Sequence, residues 1–306
     1  TTGELIITRG DNGKSTSAGV TVTVGGPAPI QVPLVGGSIQ AAIDGAAPGS
    51  LILVPPGTYN ELLVMWKNVQ LQGWGARSTL IDGTRTNPAM LTNWRTKVAA
   101  HIAAGDVNLL PNQTAISNLE EGSGIIVLAK NGMFGPARID GFTIKSATPG
   151  GGIFVNAFAS GLQISNNRIL ENEGTYGGGI RIGHPFLDNA GTFIYADAFN
   201  DNIRIQRNHI MSNGSKAQAG AGISLFTGSD NYLVTENFIC GNFASQDGAG
   251  IGHLGRSDQG LISNNTIIFN QVFQQTAGAG GAGGGILISG GVPLVEATLS
   301  PGAGSI

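Results

Sequence analysis

Between residues 152 and 270 the chain repeats one pattern of hydrophobic and polar positions four times. Each copy starts with Gly-Ile and continues into an aliphatic strand, an Asn, an Ile two residues later and a second Asn. The copies start at Gly152, Gly179, Gly222 and Gly250. Their first asparagines are Asn167, Asn208, Asn237 and Asn265, separated by 41, 29 and 28 residues. Such a period predicts a solenoid, in which each short β-rich coil stacks on the next.

If the copies stack in register, the first asparagines form a column. Each side-chain amide would then bond to its neighbours above and below, as stacked Asn does in other parallel assemblies. Asn also tolerates the left-handed backbone conformation that a tight turn needs. We therefore predict a structural ladder rather than a binding site. Its members are Asn167, Asn208, Asn237 and Asn265.

The first 35 residues have a different pattern. The runs 4–8 and 20–24 are β-type and flank a polar turn, and a Gly/Pro-rich connector follows at 25–29. Two strands alone are only marginally stable. We expect either the tail of a preceding domain or strands that dock on the solenoid.

A short amphipathic helix is predicted over 38–47. Ser38 suits its N-cap, and Ile39, Ala42 and Ile43 form an apolar stripe. Short strands broken by Pro/Gly turns follow up to residue 83. Such a helix would cover the open apolar end of the first coil.

The runs Ser-Ile-Gln-Ala-Ala-Ile-Asp (38–44), Ile-Leu-Val-Pro-Pro-Gly-Thr-Tyr-Asn-Glu (52–61), Val-Gln-Leu-Gln-Gly (69–73) and Ile-Asp-Gly (81–83) carry a specific resemblance. They are similar to the N-terminal cap and first coils of right-handed parallel β-helix proteins of the pectin lyase-like superfamily. Together with the repeats, the resemblance covers 36–306. It implies an all-β right-handed parallel β-helix with a capping helix. The superfamily includes lyases, hydrolases, epimerases, phage tailspikes and surface proteins, so it implies no single function.

Three segments interrupt the period. Residues 84–121 include helical spacing in Leu91, Trp94, Val98 and Ile102, which predicts a helical excursion on the side of the stack. The other insertions are 185–199 and 276–284. The last coil, from Gly285, lacks an Asn strand and a cap. We expect that its end is truncated or that another molecule covers it, which includes self-association.

Composition narrows the classes of partner. Charged residues make up 11% of the chain, against roughly 25% in an average domain. The net charge of −3 gives no reason to expect nucleic acid, and no apolar run is long enough to span a bilayer. The chain starts at Thr1, which favours a processed form or a fragment, and we expect a secreted or cell-surface location.

An acidic column follows from the same register: Ser160, Asp201, Asp230 and Asp258. Three carboxylates one strand apart should repel one another. One interpretation is an Asx-type turn, in which each Asp accepts local backbone N–H groups. The alternative is calcium, the candidate cofactor, bridging Asp201, Asp230 and Asp258 of consecutive coils.

The residues best suited to catalysis or sugar binding surround one predicted strand. Arg181, His184 and Asp188 are the candidate catalytic residues, and Tyr176, Phe186, Phe193 and Tyr195 are candidate glycan-binding aromatics. Charged groups and aromatic faces are what a polysaccharide site uses. The spaced acidic ligands and Arg-bearing signature of the superfamily's lyases are missing, as are the polygalacturonase motifs. His253 falls in a column of aliphatic residues and is expected to point inward.

Three functions remain open. The preferred one is a β-helix scaffold, stalk or glycan-contacting module of a larger protein, with polysaccharide as its partner. The second is a polysaccharide lyase or glycoside hydrolase acting in a groove near Arg181. The third is a self-assembling filament or surface-layer subunit.

Overall fold

Stacked parallel strands form most of the computed structural model. It describes residues 1–85, 87–111, 113–132, 135, 137–185, 187–189, 194–216, 220–273 and 281–289. Three long parallel sheets and one short parallel sheet make up the stack, and two small antiparallel pairs lie outside it. The predicted solenoid of stacked parallel strands is confirmed.

The first long sheet has eight strands and the second has seven. The first contains β3 (Ile30–Gln31), β4 (Leu51–Val54), β7 (Gln70–Gly73), β10 (Arg138–Asp140), β13 (Gln163–Ser165), β19 (Arg204–Gln206), β23 (Leu233–Thr235) and β27 (Leu261–Ser263). The second contains β5 (Gly57–Tyr59), β8 (Thr79–Asp82), β11 (Thr143–Lys145), β14 (Arg168–Leu170), β20 (His209–Met211), β24 (Phe238–Cys240) and β28 (Thr266–Ile268).

The third long sheet has seven strands and the short sheet has four. The third contains β6 (Leu63–Met65), β9 (Ile125–Val127), β12 (Ile153–Val155), β16 (Ile180–Ile182), β22 (Ile223–Leu225), β26 (Ile251–Leu254) and β30 (Ile286–Ser289). The short sheet contains β15 (Glu173–Gly174), β21 (Gly214–Ser215), β25 (Phe243–Ala244) and β29 (Gln271–Val272). Outside the stack, β1 (Thr2–Thr8) pairs with β2 (Ser15–Thr23), and β17 (Leu187–Asn189) pairs with β18 (Ile194–Tyr195).

Strand register places equivalent aliphatic residues directly above one another. Ile169 pairs with Ile210, Ile210 with Ile239 and Ile239 with Ile267. The third sheet repeats this arrangement with Ile153, Ile180, Ile223, Ile251 and Ile286. Most of these side chains are fully buried in one core that runs along the stack. Burying each one stabilises the fold by about 1.5–3 kcal/mol, which explains why the pattern recurs in every coil.

Two asparagine ladders line the turns between sheets. The Asn167 side chain donates to Asn208 Oδ1 at 3.1 Å, Asn208 donates to Asn237 at 3.0 Å, and Asn237 donates to Asn265 at 2.9 Å. Each carbonyl also accepts the backbone N–H of the Asn in the preceding coil. The second ladder comprises Asn172, Asn213, Asn242 and Asn270. These bonds pair otherwise buried polar groups, so the ladders serve the stack.

The left-handed turn conformation falls one residue earlier than the sequence suggested. It occurs at Asn166, Arg207, Glu236 and Asn264, each directly before a ladder asparagine. The ladder asparagines are not among the positive-φ residues. Their selection therefore rests on the side-chain amide and not on tolerance of that backbone conformation.

Both helices pack on the solenoid. Ile39 and Ile43 of α1 (Ile39–Gly45) are buried in the main core, and Ser38 Oγ accepts the Ala41 N–H at 3.1 Å as the predicted N-cap. The predicted excursion contains α2 (Ala89–Ala104), whose Trp94 and Val98 pack against the outer face of the third sheet. Neither helix in the described ranges is long and apolar enough to cross a membrane.

The β1–β2 hairpin contacts the first sheet through buried Asp140. The Asp140 carboxylate accepts the Thr21 N–H at 2.8 Å, the Thr21 hydroxyl at 2.7 Å and the Ser165 hydroxyl at 2.5 Å. Glu4 of β1 forms a 3.1 Å ion pair with Arg207. β3 already pairs with β4, so the parallel stack includes Ile30–Gln31, before the expected start at residue 36.

Candidate functional site

Arg181, the leading catalytic candidate, is buried in an ion pair. Its guanidinium lies 2.5 Å from Glu120 Oε1, and the same oxygen lies 2.7 Å from His184 Nε2. The Arg181 side chain is only 2% exposed. Its Cζ lies 4.0 Å from the ring centroid of Phe154, and the Tyr176 and Phe226 rings are 5.2 and 5.8 Å away. Arg181 therefore anchors the loop that carries Glu120, and the expected open groove is not found at this guanidinium.

The electrostatics of this cluster match an anchoring role. Burial alone would raise the pKa of Glu120, but the Arg181 charge and His184 outweigh it and hold that pKa well below its usual range. Burial lowers the pKa of Arg181, and the Glu120 carboxylate opposes that change. Burial and the Arg181 charge lower the pKa of His184. The opposite charges of Arg181 and Glu120 cancel, so this buried pair offers no free charge to a ligand. Breaking it would leave a buried charge without a partner, which is why the pair fixes the loop to the stack.

The other residues predicted around Arg181 are only partly described. Tyr176 lies against Arg181, with its ring centroid 6.1 Å from that of His184. Asp188 belongs to β17 and Tyr195 to β18. The Asp188 and Tyr195 side chains, and all of Phe186 and Phe193, lie outside the described residues.

The acidic column forms a ladder between coils. Asp201 Oδ1 accepts the Asp230 N–H at 3.1 Å, and Asp230 Oδ1 accepts the Asp258 N–H at 2.7 Å. The donors thus belong to the next coil, which corrects the expectation of a local Asx-type turn. Burial, together with the charges of Asp230 and Asp197, raises the pKa of Asp201. In the described part of the chain, no three His, Cys, Asp or Glu residues are grouped to hold a metal ion.

A different surface has the character of a binding site. A cleft of about 840 Å³ lies between the β1–β2 hairpin and the turn from the first sheet to the second. Ser17 and Gly19 of the hairpin form one wall, and Arg77 of the 75–77 loop forms another. Its base includes Arg168 and His209. We call it the cationic cleft.

The base of the cationic cleft is a product of the solenoid repeat. Arg168, His209 and Phe238 each follow a ladder asparagine directly and are paired in register on adjacent strands. The next residue along each strand is a fully buried isoleucine, so this position faces outward because strand side chains alternate. The His209 and Phe238 ring centroids lie 5.7 Å apart. Each coil thus adds one side chain to a continuous outward row.

Arg77 is held over this row by its own loop. The Ser78 and Thr79 N–H groups both donate to the Gly75 carbonyl at 3.0 Å. The Thr143 hydroxyl, on the neighbouring coil, donates to the Ala76 carbonyl. These bonds fix the 75–79 turn against the second sheet, which places Arg77 near Arg168 and His209.

The positive charge of the cationic cleft is not balanced locally. Arg207 is paired with Glu236 at 2.7 Å and with Glu4 at 3.1 Å. Arg77 and Arg168 have no carboxylate within ion-pair distance among the described residues. Partial burial lowers the pKa of His209, and the Arg168 and Arg77 charges lower it further. The cleft therefore combines two guanidinium groups, which have no carboxylate partner in the described ranges, with an imidazole whose pKa lies below its ordinary value.

The repeat contained a signal for part of this cleft. The residue after each ladder asparagine is Arg168, His209, Phe238 and Thr266, and reading this column would have identified the outward row. Arg77 and the hairpin wall lie outside the repeat. Their approach to the row depends on how the hairpin and the 75–79 turn pack, which no local pattern specifies.

Comparison with known proteins found no match. No family model matches the chain, and no curated protein and no solved structure is significantly similar to it. The similarity to pectin lyase-like proteins therefore stays a resemblance carried by the motifs at 38–83 and the repeat.

Proposed function

We propose that this chain is a scaffold module of a secreted or cell-surface protein and that it holds an acidic glycan in the cationic cleft. A right-handed coil of the pectin lyase-like type is part of the proposal. The observation that carries it is the pair Arg77 and Arg168, two guanidinium groups that line one cleft and have no carboxylate partners among the described residues.

The chemistry of the cleft suits a carboxylated or sulfated sugar. A guanidinium binds a planar carboxylate through two parallel hydrogen bonds, and its charge strengthens both. Phe238 does not line the cleft, but its ring lies beside His209 on the next coil and offers an apolar surface for a sugar ring that extends past the cleft. The volume of about 840 Å³ falls within the range of ligand pockets. The paired strands and the hydrogen-bonded 75–79 turn fix the backbone under the cleft, so binding has to order only side chains.

The two rival functions have less support. A lyase or hydrolase acting at Arg181 needs that guanidinium to reach the substrate, and Arg181 is enclosed by Glu120 and three aromatic rings. Self-assembly through the last coil stays a prediction, because residues 290–306 lie outside the described part of the chain.

Isothermal titration with hexagalacturonate and with neutral cellohexaose tests the proposal. We expect the acidic ligand to bind more tightly, with an affinity that falls as salt concentration rises. Arg77→Ala and Arg168→Ala should each weaken binding by about tenfold or more, since each removes a charge-assisted contact. Arg204→Ala is the matched control, because Arg204 is exposed on the first sheet and does not line the cleft.

Absence of hexagalacturonate binding, or equal binding by all three variants, would contradict the proposal. Incubation with hexagalacturonate, with or without Ca²⁺, tests the enzymatic alternative. Absorbance from unsaturated product would reveal a lyase, and new reducing ends without that absorbance would reveal a hydrolase. Either result would show that the chain cleaves the polymer and does not merely hold it.

A further inference from the structure

A second groove crosses the short sheet. It has a volume of about 680 Å³ and its lining comes from four consecutive coils, through β15, β21, β25 and the residue that follows β29. Because paired strands lie about 4.8 Å apart, the groove offers similar backbone positions at a spacing close to the length of one sugar ring. It shares no lining residue with the cationic cleft. We call it the short-sheet groove.

Two aromatic side chains are exposed in this groove. Phe243 of β25 is 50% exposed and Phe273 is 52% exposed. They belong to adjacent coils, joined by the bond from the Phe273 N–H to the Ala244 carbonyl at 2.8 Å. Strand pairing aligns Phe243 with Gln271, two residues before Phe273, so the rings lie diagonally across the groove. Two exposed rings on adjacent coils of one groove form a joint apolar surface that a ligand can cover.

The polar groups of the groove are serine hydroxyls, the Gln246 amide and a few charged side chains. Glu173 and Lys216 form an ion pair across adjacent coils, which balances their charges locally. Glu171 is the other charged residue of the lining. The groove therefore has a slight negative charge, which disfavours an acidic ligand and leaves hydrogen bonding as its main polar interaction.

We propose that the short-sheet groove binds a neutral oligosaccharide, with Phe243 and Phe273 packing against sugar faces and the polar side chains beside them bonding to sugar hydroxyls. The C–H faces of a pyranose cover aromatic surface, and its hydroxyls both donate to and accept from serine hydroxyls and a glutamine amide. This site is separate from the cationic cleft in position and in ligand charge. The chain would then contact glycan at two places.

A protein partner is the main rival occupant. A second copy or a peptide would also cover Phe243 and Phe273. A neutral glycan is favoured because the lining also carries the hydroxyl side chains Ser212, Ser215 and Ser245. An interface between protein chains concentrates its energy in a dry apolar centre, which this groove lacks.

Titration of the whole chain with cellohexaose, mannohexaose and maltohexaose tests the proposal. At least one should bind, and Phe243→Ala should weaken that binding by about fivefold or more, since it removes an aromatic anchor. The Phe243→Ala/Phe273→Ala double variant should bind none of them. Phe269→Ala is the control, because Phe269 is 83% exposed and lies outside the groove lining. Unchanged thermal melting would show that the variants fold.

Three results would overturn the proposal. They are no binding of any neutral hexasaccharide, binding that survives in the double variant, or concentration-dependent dimerisation in sedimentation that Phe243→Ala abolishes. The Arg168→Ala variant distinguishes this proposal from the preceding one. It should lose hexagalacturonate binding at the cationic cleft and keep neutral glycan binding at the short-sheet groove.

Discussion

Glu120 Oε1 lies 2.5 Å from the Arg181 guanidinium, and this buried ion pair joins the helical excursion to the stacked coils. Glu120 belongs to the loop after α2, whereas Arg181 lies at the centre of β16. The pair explains how an insertion of nearly forty residues stays fixed on the third sheet. It also explains why the most promising catalytic residue in the sequence is closed to solvent.

Removing Arg181 should destabilise the fold strongly. Arg181→Ala leaves Glu120 charged and buried without its partner, so we expect the free energy of unfolding to fall by about 3–5 kcal/mol. Arg256→Ala removes an arginine from an exposed ion pair and should cost under about 1 kcal/mol. Urea unfolding of both variants gives the comparison. A loss below 1 kcal/mol for Arg181→Ala would show that the pair does not anchor the excursion.

Substituting an asparagine in the middle of the ladder should lower the stability of the fold. The Asn208 side chain donates to Ile164 O and Asn237 Oδ1 and accepts from Asn167, so Asn208→Ala leaves several buried groups unpaired. We expect a loss of about 2–4 kcal/mol in the free energy of unfolding. Asn60→Ala, at an exposed position, should change it by less than about 0.5 kcal/mol. Equal stability of the two variants would argue against a structural ladder.

The glycine at the start of each coil is required by close backbone approach. A Cβ at Gly222 would lie 2.5 Å from the Gly250 carbonyl oxygen of the next coil. Gly222→Ala should therefore separate the coils and lower the melting temperature, with a cost of about 1–3 kcal/mol. Gly3→Ala, where a Cβ meets no atom within 4 Å, is the control. A Gly222→Ala variant as stable as the control would contradict the tight spacing of the coils.

His253 should make stability depend on pH. It is buried inside the stack, its Nδ1 lies 2.8 Å from the Tyr232 hydroxyl, and burial lowers its pKa from 6.5 to about 4. The unfolded chain therefore binds this proton more readily than the folded chain does. The stability contributed by neutral His253 is complete above pH 6.5 and is lost as pH falls from 6.5 towards 4.

Acidic side chains elsewhere in the chain also make stability depend on pH. Comparing the wild type with His253→Gln isolates the contribution of His253. Between pH 7.5 and pH 4.5 the free energy of unfolding should fall by about 2 kcal/mol more in the wild type than in His253→Gln. Urea unfolding at the two pH values measures this difference. Identical pH dependence in the two proteins would mean that His253 is already open to water in the folded state.

The stacked core could be predicted from the sequence more completely than the surface sites. The repeat located the aliphatic columns and the first asparagine ladder because vertical stacking depends only on equivalent positions along the chain. The Arg181–Glu120 pair was not predictable, since Glu120 lies in an excursion whose path over the third sheet has no period. The cationic cleft could be predicted only in part. Arg168 and His209 follow the repeat, whereas Arg77 and the hairpin wall do not.

The central claim, an acidic glycan in the cationic cleft, is tested most directly at His209. Partial burial lowers the pKa of this imidazole in the free protein, and the Arg168 and Arg77 charges lower it further. Arg207 and Glu236 are the other charged groups of the cleft. A bound carboxylate would offset the arginine charges, so saturation with hexagalacturonate should raise the pKa of His209, and the ligand should bind more tightly as pH falls. An NMR titration of the His209 ring protons, with the Arg168→Ala variant as control, gives that pKa with and without ligand. An upward shift that the variant reduces supports the account, and an unchanged His209 pKa at saturating ligand would contradict it.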